Sequence, residues 1–336
     1  MRISAIGDVA MIVPLVLGLR QQYPSLKITV LSRAFFEPLF SDIPEIGFYA
    51  IDVKGKHKGI FGLYKLFKEL RHLHIDAFAD LHNVLRSRII GFFFRIIGVP
   101  VVIMNKGRAE RKELTALKPK TLSPIKPIVE RHAEVFKKLR FPVSLEQIQL
   151  LPASEISSQI KILTGEKSCK WIGIAPFAAF KTKMYPLELM EQVIELLALK
   201  NVRIFLFGGG EQEVKSLDKL ALLSEKCISM AGKLSFKEEL QLISKLDLML
   251  SMDSGNGHLA AVYGVPVVTI WGNTHPSAGF APFRQPEANS ITPDRIKYPL
   301  IPTSIYGKKI VEGYEECMAS ISPDQVMKTL IRFIED

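Results

Sequence analysis

The feature that most constrains the fold is an unbroken alternation of short apolar runs with longer amphipathic stretches, clearest in the second half of the chain. Apolar runs occupy residues 171–175 (WIGIA), 202–210 (VRIFLFGGG), 227–232 (CISMAG), 246–253 (LDLMLSMD) and 265–272 (VPVVTIWG). Helix-patterned stretches stand between them at 187–199, 211–223, 236–245 and 256–263. Strands that are apolar along their length are buried on both faces, as in parallel sheets covered by helices. Strand–helix units in series therefore predict a doubly wound α/β domain, with its ligands at the carboxyl ends of the strands.

The first half follows the same rhythm less regularly. Strands are expected at 27–32 (KITVLS), 75–82 (IDAFADLH) and 99–104 (VPVVIM), and helices at 61–73 and 128–139. The texture changes at 151–170, a polar stretch holding Pro152 and Gly165, which reads as an interdomain linker. The expected division is a Rossmann-like N-terminal domain over 1–155 and a second Rossmann-like domain over 168–318. Residues 319–336 would form a C-terminal helix packing back across the domain junction. With 336 residues, 48% of them hydrophobic, two ordinary cores can form.

Charge and cysteine content narrow the function classes. Cys169, Cys227 and Cys317 are too few and too widely spaced for a disulfide framework or a zinc site, which fits a reducing compartment and a cytoplasmic protein. The opening MRISAIGDVA lacks the apolar core of a signal peptide. The greasiest stretch, 89–104 (IIGFFFRIIGVPVVIM), is interrupted by Arg95 and Pro100 and falls short of the roughly 20 residues that span a bilayer. It reads as a buried helix followed by a buried strand. The net charge is +10, and residues 106–140 hold eleven Lys/Arg against four Glu, a local excess of +7. Such a patch attracts polyanions, whether phosphorylated glycolipid, anionic membrane or nucleic acid, and it also simply solvates a surface. No nucleic-acid motif accompanies it, so nucleic acid is not expected as a partner.

Four segments carry chemistry. In 251–272 (SMDSGNGHLAAVYGVPVVTIWG) a strand ends in Asp253, Ser254 and Gly255, which turn into a helix with Asn256 and His258 in its first turn. Free N–H groups and the positive end of the helix dipole suit an anion there. Gly255 and Gly257 would let a ligand approach the backbone closely. The same residues would equally serve as an ordinary N-cap with an incidental histidine. In 174–194 a strand leads to Lys181, Lys183 and Tyr185-Pro186, setting a cation beside a helix start; the alternative is a surface lysine on a loop. Gly208, Gly209 and Gly210 read as a tight turn beside a nucleotide, a weak signal without the full dinucleotide fingerprint; Glu211 or Glu213 would bond a ribose or merely charge the helix start. In 4–14, Gly7-Asp8 precedes an apolar helix, with Asp8 either an N-cap or a general base. The chain contains no Asp-x-Asp pair, so a metal-chelated diphosphate is not expected. His72 and His74 near Asp76 fit a helix end better than a metal site.

Taken together, SAIGDVAM, DLHNVLRSR (80–88), the K-x-Y-P element at Lys183, DSGNGHLAAVYGVPVVTIWG and the closing CMASISPDQVMKTL resemble glycosyltransferase family 9, the ADP-heptose:lipopolysaccharide heptosyltransferases. The resemblance runs through nearly the whole chain. It implies a GT-B architecture, two Rossmann-like domains facing across a cleft, and an inverting transfer that needs no metal or other cofactor. It implies Asp8 as catalytic base and Lys183 against the donor diphosphate. Asp253, Ser254, Gly255, Asn256 and His258 match the donor-binding turn, and the loop 230–234, ending at Leu234, matches the lining of the nucleobase. Arg86 and Ser87 match the segment facing the acceptor. Basic residues of the first domain, Lys106, Arg108 and Arg111 among them, would hold acceptor phosphates or carboxylates. The implied partners are a nucleotide-sugar donor, an anionic glycolipid acceptor and, peripherally, the inner face of the cytoplasmic membrane.

Two departures stand out. Ala178 and Ala179 replace hydroxyl residues that some members carry in the diphosphate loop. The chain also starts almost inside the S-x-I-G-D turn, so the first strand of the N-terminal sheet is expected to be missing and the natural start to lie upstream of Met1. Two other functions share these features. A GT-B sugar-nucleotide epimerase would use the same donor site without an acceptor, and a non-catalytic nucleotide- or polyanion-binding module would bind without turnover.

Overall fold

The structure, a computed structural model, describes residues 1–118 and 120–335. The chain forms two compact units. The first comprises Met1–Gly107 with Lys126–Leu151, and the second Arg108–Ile125 with Pro152–Asp336. Residues 108–125, read from sequence as part of the N-terminal domain, thus belong to the second unit.

The first unit holds helices α1 (Ile6–Ala10) and α2 (Val13–Gln22), strands β1 (Ile28–Ser32) and β2 (Ile46–Ala50), helix α3 (Gly59–Arg71), strand β3 (Phe78–Asp80), helix α4 (Leu85–Ile96) and strand β4 (Val101–Ile103). Between α5 (Arg108–Leu114) of the second unit and the end of the first comes α6 (Ile128–Lys138). Two parallel ladders form, β1 with β2 and β3 with β4. Residues 1–3 run between them. The Arg2 N–H donates to the Leu31 carbonyl at 3.2 Å, and the Met1 carbonyl accepts from the Leu81 N–H at 3.1 Å. This piece is not itself a strand, and Ile3 is buried with Leu31, Leu63 and Phe78 in the first core.

The α3 and α4 helices pack side by side, sealed by Phe67 against Phe94 with ring centroids 5.2 Å apart. The expectation of a buried helix over the apolar stretch 89–96 is only half met. Ile90 and Phe94 enter the core, whereas Phe92 and Ile96 are exposed. The 3.6-residue period divides even an all-apolar helix into an inner and an outer face.

In the second unit the order is α5, α7 (Ser158–Thr164), β5 (Lys170–Ala175), α8 (Leu187–Ala198), β6 (Val202–Leu206), α9 (Glu211–Ala221), β7 (Cys227–Ser229), α10 (Phe236–Ile243), β8 (Leu248–Met252), α11 (Gly255–Val262), β9 (Val267–Ile270), β10 (Ser290–Ile291) and α12 (Pro323–Leu330). The six strands are parallel and lie in the order β10-β9-β8-β5-β6-β7. Every residue of β8 and β9 is buried, which explains their uninterrupted apolar sequences. The chain reverses direction across the sheet between β5 and β8, making their carboxyl ends the switch point at which such sheets bind ligands.

One segment departs from the sequence reading here. The expected linker contains α7, whose N-terminus is capped by the Ser157 hydroxyl accepting from the Ile160 N–H at 3.3 Å. Within the second unit, the C-terminal helix α12 packs on α8. Val326 and Leu330 are fully buried there, and the buried Tyr185 hydroxyl donates to the Ile321 carbonyl at 2.7 Å. No helix of the described residues is long and apolar enough to cross a membrane.

Candidate active site

The switch point of the second unit gathers the strongest sequence signals. β5 ends at Ala175, and the loop that follows reaches a single 3₁₀ turn over Lys181–Lys183. β8 ends at Met252, and Asp253 and Ser254 lead into α11. The Lys183 ammonium donates to Asp253 Oδ2 at 3.1 Å, both side chains being largely buried. Lys183 is held along its length as well. Gly307 has φ +84°, and a Cβ there would lie 2.7 Å from Lys183 Cγ, so only glycine lets the lysine stem lie flat. The adjoining Thr182 hydroxyl donates to the Gly307 carbonyl.

α11 begins without a side-chain cap: Ser254 stands at the N-cap position in an extended conformation, but its hydroxyl accepts no helix N–H. Its Oγ is buried and makes no hydrogen bond among the described residues. Uncapped N–H groups at a helix start, reinforced by the dipole, form an anion site. Gly255 and Asn256 are half-buried beside Ser254, and His258 is buried in the first turn. Gly257 has a different reason to be glycine than ligand approach. A Cβ on it would fall 2.5 Å from Ser251 Oγ, so its absence lets α11 lie directly on β8.

In the glycine turn after β6, one of the two candidate carboxylates has a structural role. Glu213 Oε2 accepts the Gly209 N–H at 2.9 Å, so this carboxylate closes the turn at the start of α9. Around Gly209 a Cβ would meet open space. Leu234 is half-buried in the loop after β7, where the Lys233 N–H bonds back to the Met230 carbonyl at 3.1 Å.

In the first unit, Asp8 occupies the third position of α1. Its Oδ2 accepts the Ala5 N–H at 3.1 Å and pairs with the Arg2 guanidinium. Arg2 is itself fixed by donating to the Ser4 and Leu81 carbonyls, each at 2.9 Å. Oδ1 makes no hydrogen bond among the described residues, and the carboxylate is 21% exposed. One oxygen is thus held by the protein and the other is open to a further partner. Sequence reasoning missed Arg2, because nothing in the local pattern distinguishes it from any N-terminal cation.

The acceptor-facing candidates separate. Ser87 is fully buried, accepting the Val84 N–H at 3.0 Å and donating to Asp80 Oδ2 at 2.7 Å. Asp80 Oδ1 takes the His82 and Asn83 N–H groups at 2.9 and 2.7 Å. Ser87 therefore shapes the turn before α4 and does not present its hydroxyl outward, a correction to the expectation of acceptor contact. Arg86, one residue earlier, is half-buried. Lys106 is half-buried and Arg108 exposed, whereas Arg111 is buried, donating to the Tyr306 hydroxyl at 2.6 Å and lying 5.0 Å from the Phe280 ring centroid. Arg111 is accordingly part of the second unit's scaffold, not a surface cation of the first. His72 and His74 are exposed at the end of α3, and among the described residues no three His, Cys, Asp or Glu converge as metal ligands would.

Two histidines adjoin the Arg2–Asp8 pair electrostatically. His132 on α6 is completely buried, and desolvation, then the Arg2 charge, hold its pKa at about 3. Desolvation, then Arg2 and Lys106, bring His82 to about 4. Both are neutral in the folded chain, whereas the unfolded chain binds a proton at each below about 6.5. Stability is complete above that value and falls as pH drops towards 3 to 4. At pH 5 the two together cost about 4 kcal/mol relative to pH 7.5. Urea unfolding at the two pH values tests this, and His132→Phe should remove about half of the difference; an unchanged pH slope in that variant would contradict it.

Comparison with known proteins fits this geometry. Residues 63–293 match the family model described as glycosyltransferase family 9 (heptosyltransferase). Lipooligosaccharide heptosyltransferase 2 of Haemophilus influenzae is 27% identical over 350 residues, covering 97% of this chain and 96% of that protein. The crystal structure of a family 9 glycosyltransferase from Veillonella parvula superposes with a TM-score of 0.74 at 21% identity, over 99% of this chain and 95% of that one. An Escherichia coli heptosyltransferase solved with ADP gives 0.68 at 18% identity, over 99% and 98% of the two chains. The architecture is GT-B, α/β with a large parallel sheet. With an uncapped helix and a clamped lysine at its switch point, and the family model covering most of its length, this chain belongs to glycosyltransferase family 9 and is a glycosyltransferase.

Proposed function

We propose that the enzyme moves a heptose or closely related sugar from an ADP-sugar to the inner-core or lipid A region of a lipopolysaccharide acceptor, with inversion and without a metal. The observation that carries this reading is the pairing of Lys183 with Asp253 beside the uncapped start of α11. Fixed positive charge and N–H groups at that point stabilise a departing diphosphate, the work a metal performs in other transferases. Leu234 and the loop 230–234 would line the adenine, and Gly209 would let the nucleotide pass close to the turn after β6.

Asp8 would supply the base. As the acceptor oxygen attacks the anomeric carbon, the bond from that carbon to the donor phosphate breaks and ADP departs. The hydroxyl proton passes to Asp8 Oδ1, the oxygen not engaged by Arg2 and Ala5. Attack from the face opposite the leaving group inverts the anomeric centre. Arg86, Lys106 and Arg108 would hold acceptor phosphates or carboxylates as charge-assisted partners. The relative named as a lipooligosaccharide heptosyltransferase supports a glycolipid acceptor; work on the cytoplasmic side by a peripherally bound enzyme belongs to the same proposal.

Incubation with ADP-heptose and a heptose-deficient lipopolysaccharide core should release one ADP for each heptose added to the acceptor, read by mass spectrometry. Epimerised or hydrolysed sugar without a gain in acceptor mass would point instead to the epimerase reading. ADP binding without any turnover would point to a binding module.

A further inference from the structure

α3 and α4 present an outward face that the fold does not use. Phe61 is 88% exposed, and Tyr64 follows one turn later on the same face of α3. On α4, Phe92 is 57% exposed, with Ile96 one turn on. Tyr64 meets Phe93 edge to face at 5.4 Å, and Phe93 lies 6.1 Å from Phe92, so the two stripes adjoin. Isolated surface hydrophobics need no explanation, but a contiguous aromatic patch marks an interaction site.

The charges on these two helices are mostly positive. α3 and α4 carry Lys65, Lys68, Arg71, Arg86, Arg88 and Arg95 against a single acid, Glu69, a net of six minus one, or +5. Glu69 is already engaged by Lys56, His57 and the Tyr49 hydroxyl. The Lys68 ammonium lies 5.1 Å from the Tyr64 ring centroid, the arrangement of a cation standing at the rim of an apolar body.

We propose that this face of α3 and α4 docks on an anionic lipid bilayer, the aromatic and aliphatic side chains entering the headgroup boundary and the lysines and arginines meeting lipid phosphates. The inference rests on the reading of the enzyme as one that acts on a lipid-linked acceptor. Amphipathic surfaces that combine Phe and Leu with Lys and Arg bind membranes in this way. Protein interfaces, in contrast, are depleted in lysine at their cores. A second copy on the same face would set two net-positive surfaces against one another. Arg86, in the first turn of α4, would connect the docked face to acceptor recognition.

Cosedimentation with vesicles tests the assignment, comparing phosphatidylcholine alone with a phosphatidylcholine–phosphatidylglycerol mixture. The chain should bind the mixture at least about tenfold more tightly, and less so as salt rises. The double variants F61S/F92S and K65E/K68E should each weaken that binding about tenfold or more; both change exposed side chains, and thermal melts check that they fold. Turnover of F61S/F92S on a water-soluble, deacylated acceptor should equal that of the unmodified chain. The proposal fails if the chain does not bind the mixed vesicles, if both variants bind as well as the parent, or if F61S/F92S instead converts a dimer to a monomer. Vesicle binding without sugar transfer would overturn the transferase reading and leave the surface standing, whereas transfer without vesicle binding would remove the surface alone.

Discussion

Asp8→Asn should lower turnover by about 10³-fold while donor affinity stays within about threefold of the parent, since general-base contributions span roughly 10²–10⁴. The substitution preserves shape. An asparagine carbonyl can still accept the Ala5 N–H that Asp8 Oδ2 takes at 3.1 Å, so α1 keeps its start. What disappears is the anion that receives the acceptor proton and neutralises Arg2, whose side chain is 8% exposed and also bonded to the Ser4 and Leu81 carbonyls. Some loss of thermal stability is therefore expected and is measured separately. Turnover under saturating donor, with ADP affinity by calorimetry, separates chemistry from binding. A parallel fall in both quantities would remove Asp8 from the role of base. Asp8→Glu retains the charge at the wrong distance and should recover only part of the loss.

Legibility in the sequence differed between the two units for a physical reason. In the second, β8 and β9 are buried on both faces and α11 lies directly on β8 through Gly257, so burial wrote the strands out as uninterrupted apolar runs. The chemistry sits at their ends, and Asp253 and Lys183 could be paired from the rule that ligands gather at carboxyl termini. In the first unit the strands are short; β3 and β4 have three residues each, and the piece over 1–3 is held by one main-chain hydrogen bond on the β1 side and two on the β3 side. Local pattern carries little information at that length. The residues that fix the candidate base and lysine, Arg2 and Gly307, meet them through tertiary contact rather than local pattern. Ser87 and Arg111 were misread for a related cause: a polar residue in a motif, or a cation in a basic stretch, looks the same whether it faces a ligand or is bound within the scaffold. Only the bonds to Asp80 and Tyr306 separate the two.

The Lys183–Asp253 pair allows its two possible roles to be separated. Lys183→Ala should weaken ADP binding about 10²-fold, the scale of one to two charge-assisted hydrogen bonds. It should also destabilise the second unit, because the Asp253 carboxylate, 9% exposed and 3.1 Å from the ammonium, loses its counter-charge. Orphaning one member of a buried pair costs about 3–5 kcal/mol. A lower affinity in this variant could then reflect a disturbed turn at Ser254 instead of a missing phosphate contact. Lys183→Met combined with Asp253→Asn resolves the ambiguity. The methionine keeps an apolar stem against Gly307, where a Cβ would come within 2.7 Å of the Lys183 side chain, and the asparagine needs no counter-ion. The double variant should melt near the parent temperature and still bind ADP about 10²-fold more weakly, because the Lys183 ammonium no longer meets the diphosphate. Recovery of ADP affinity along with stability would mean that the lysine serves only its aspartate. The start of α11 would then meet the donor phosphates without help from Lys183.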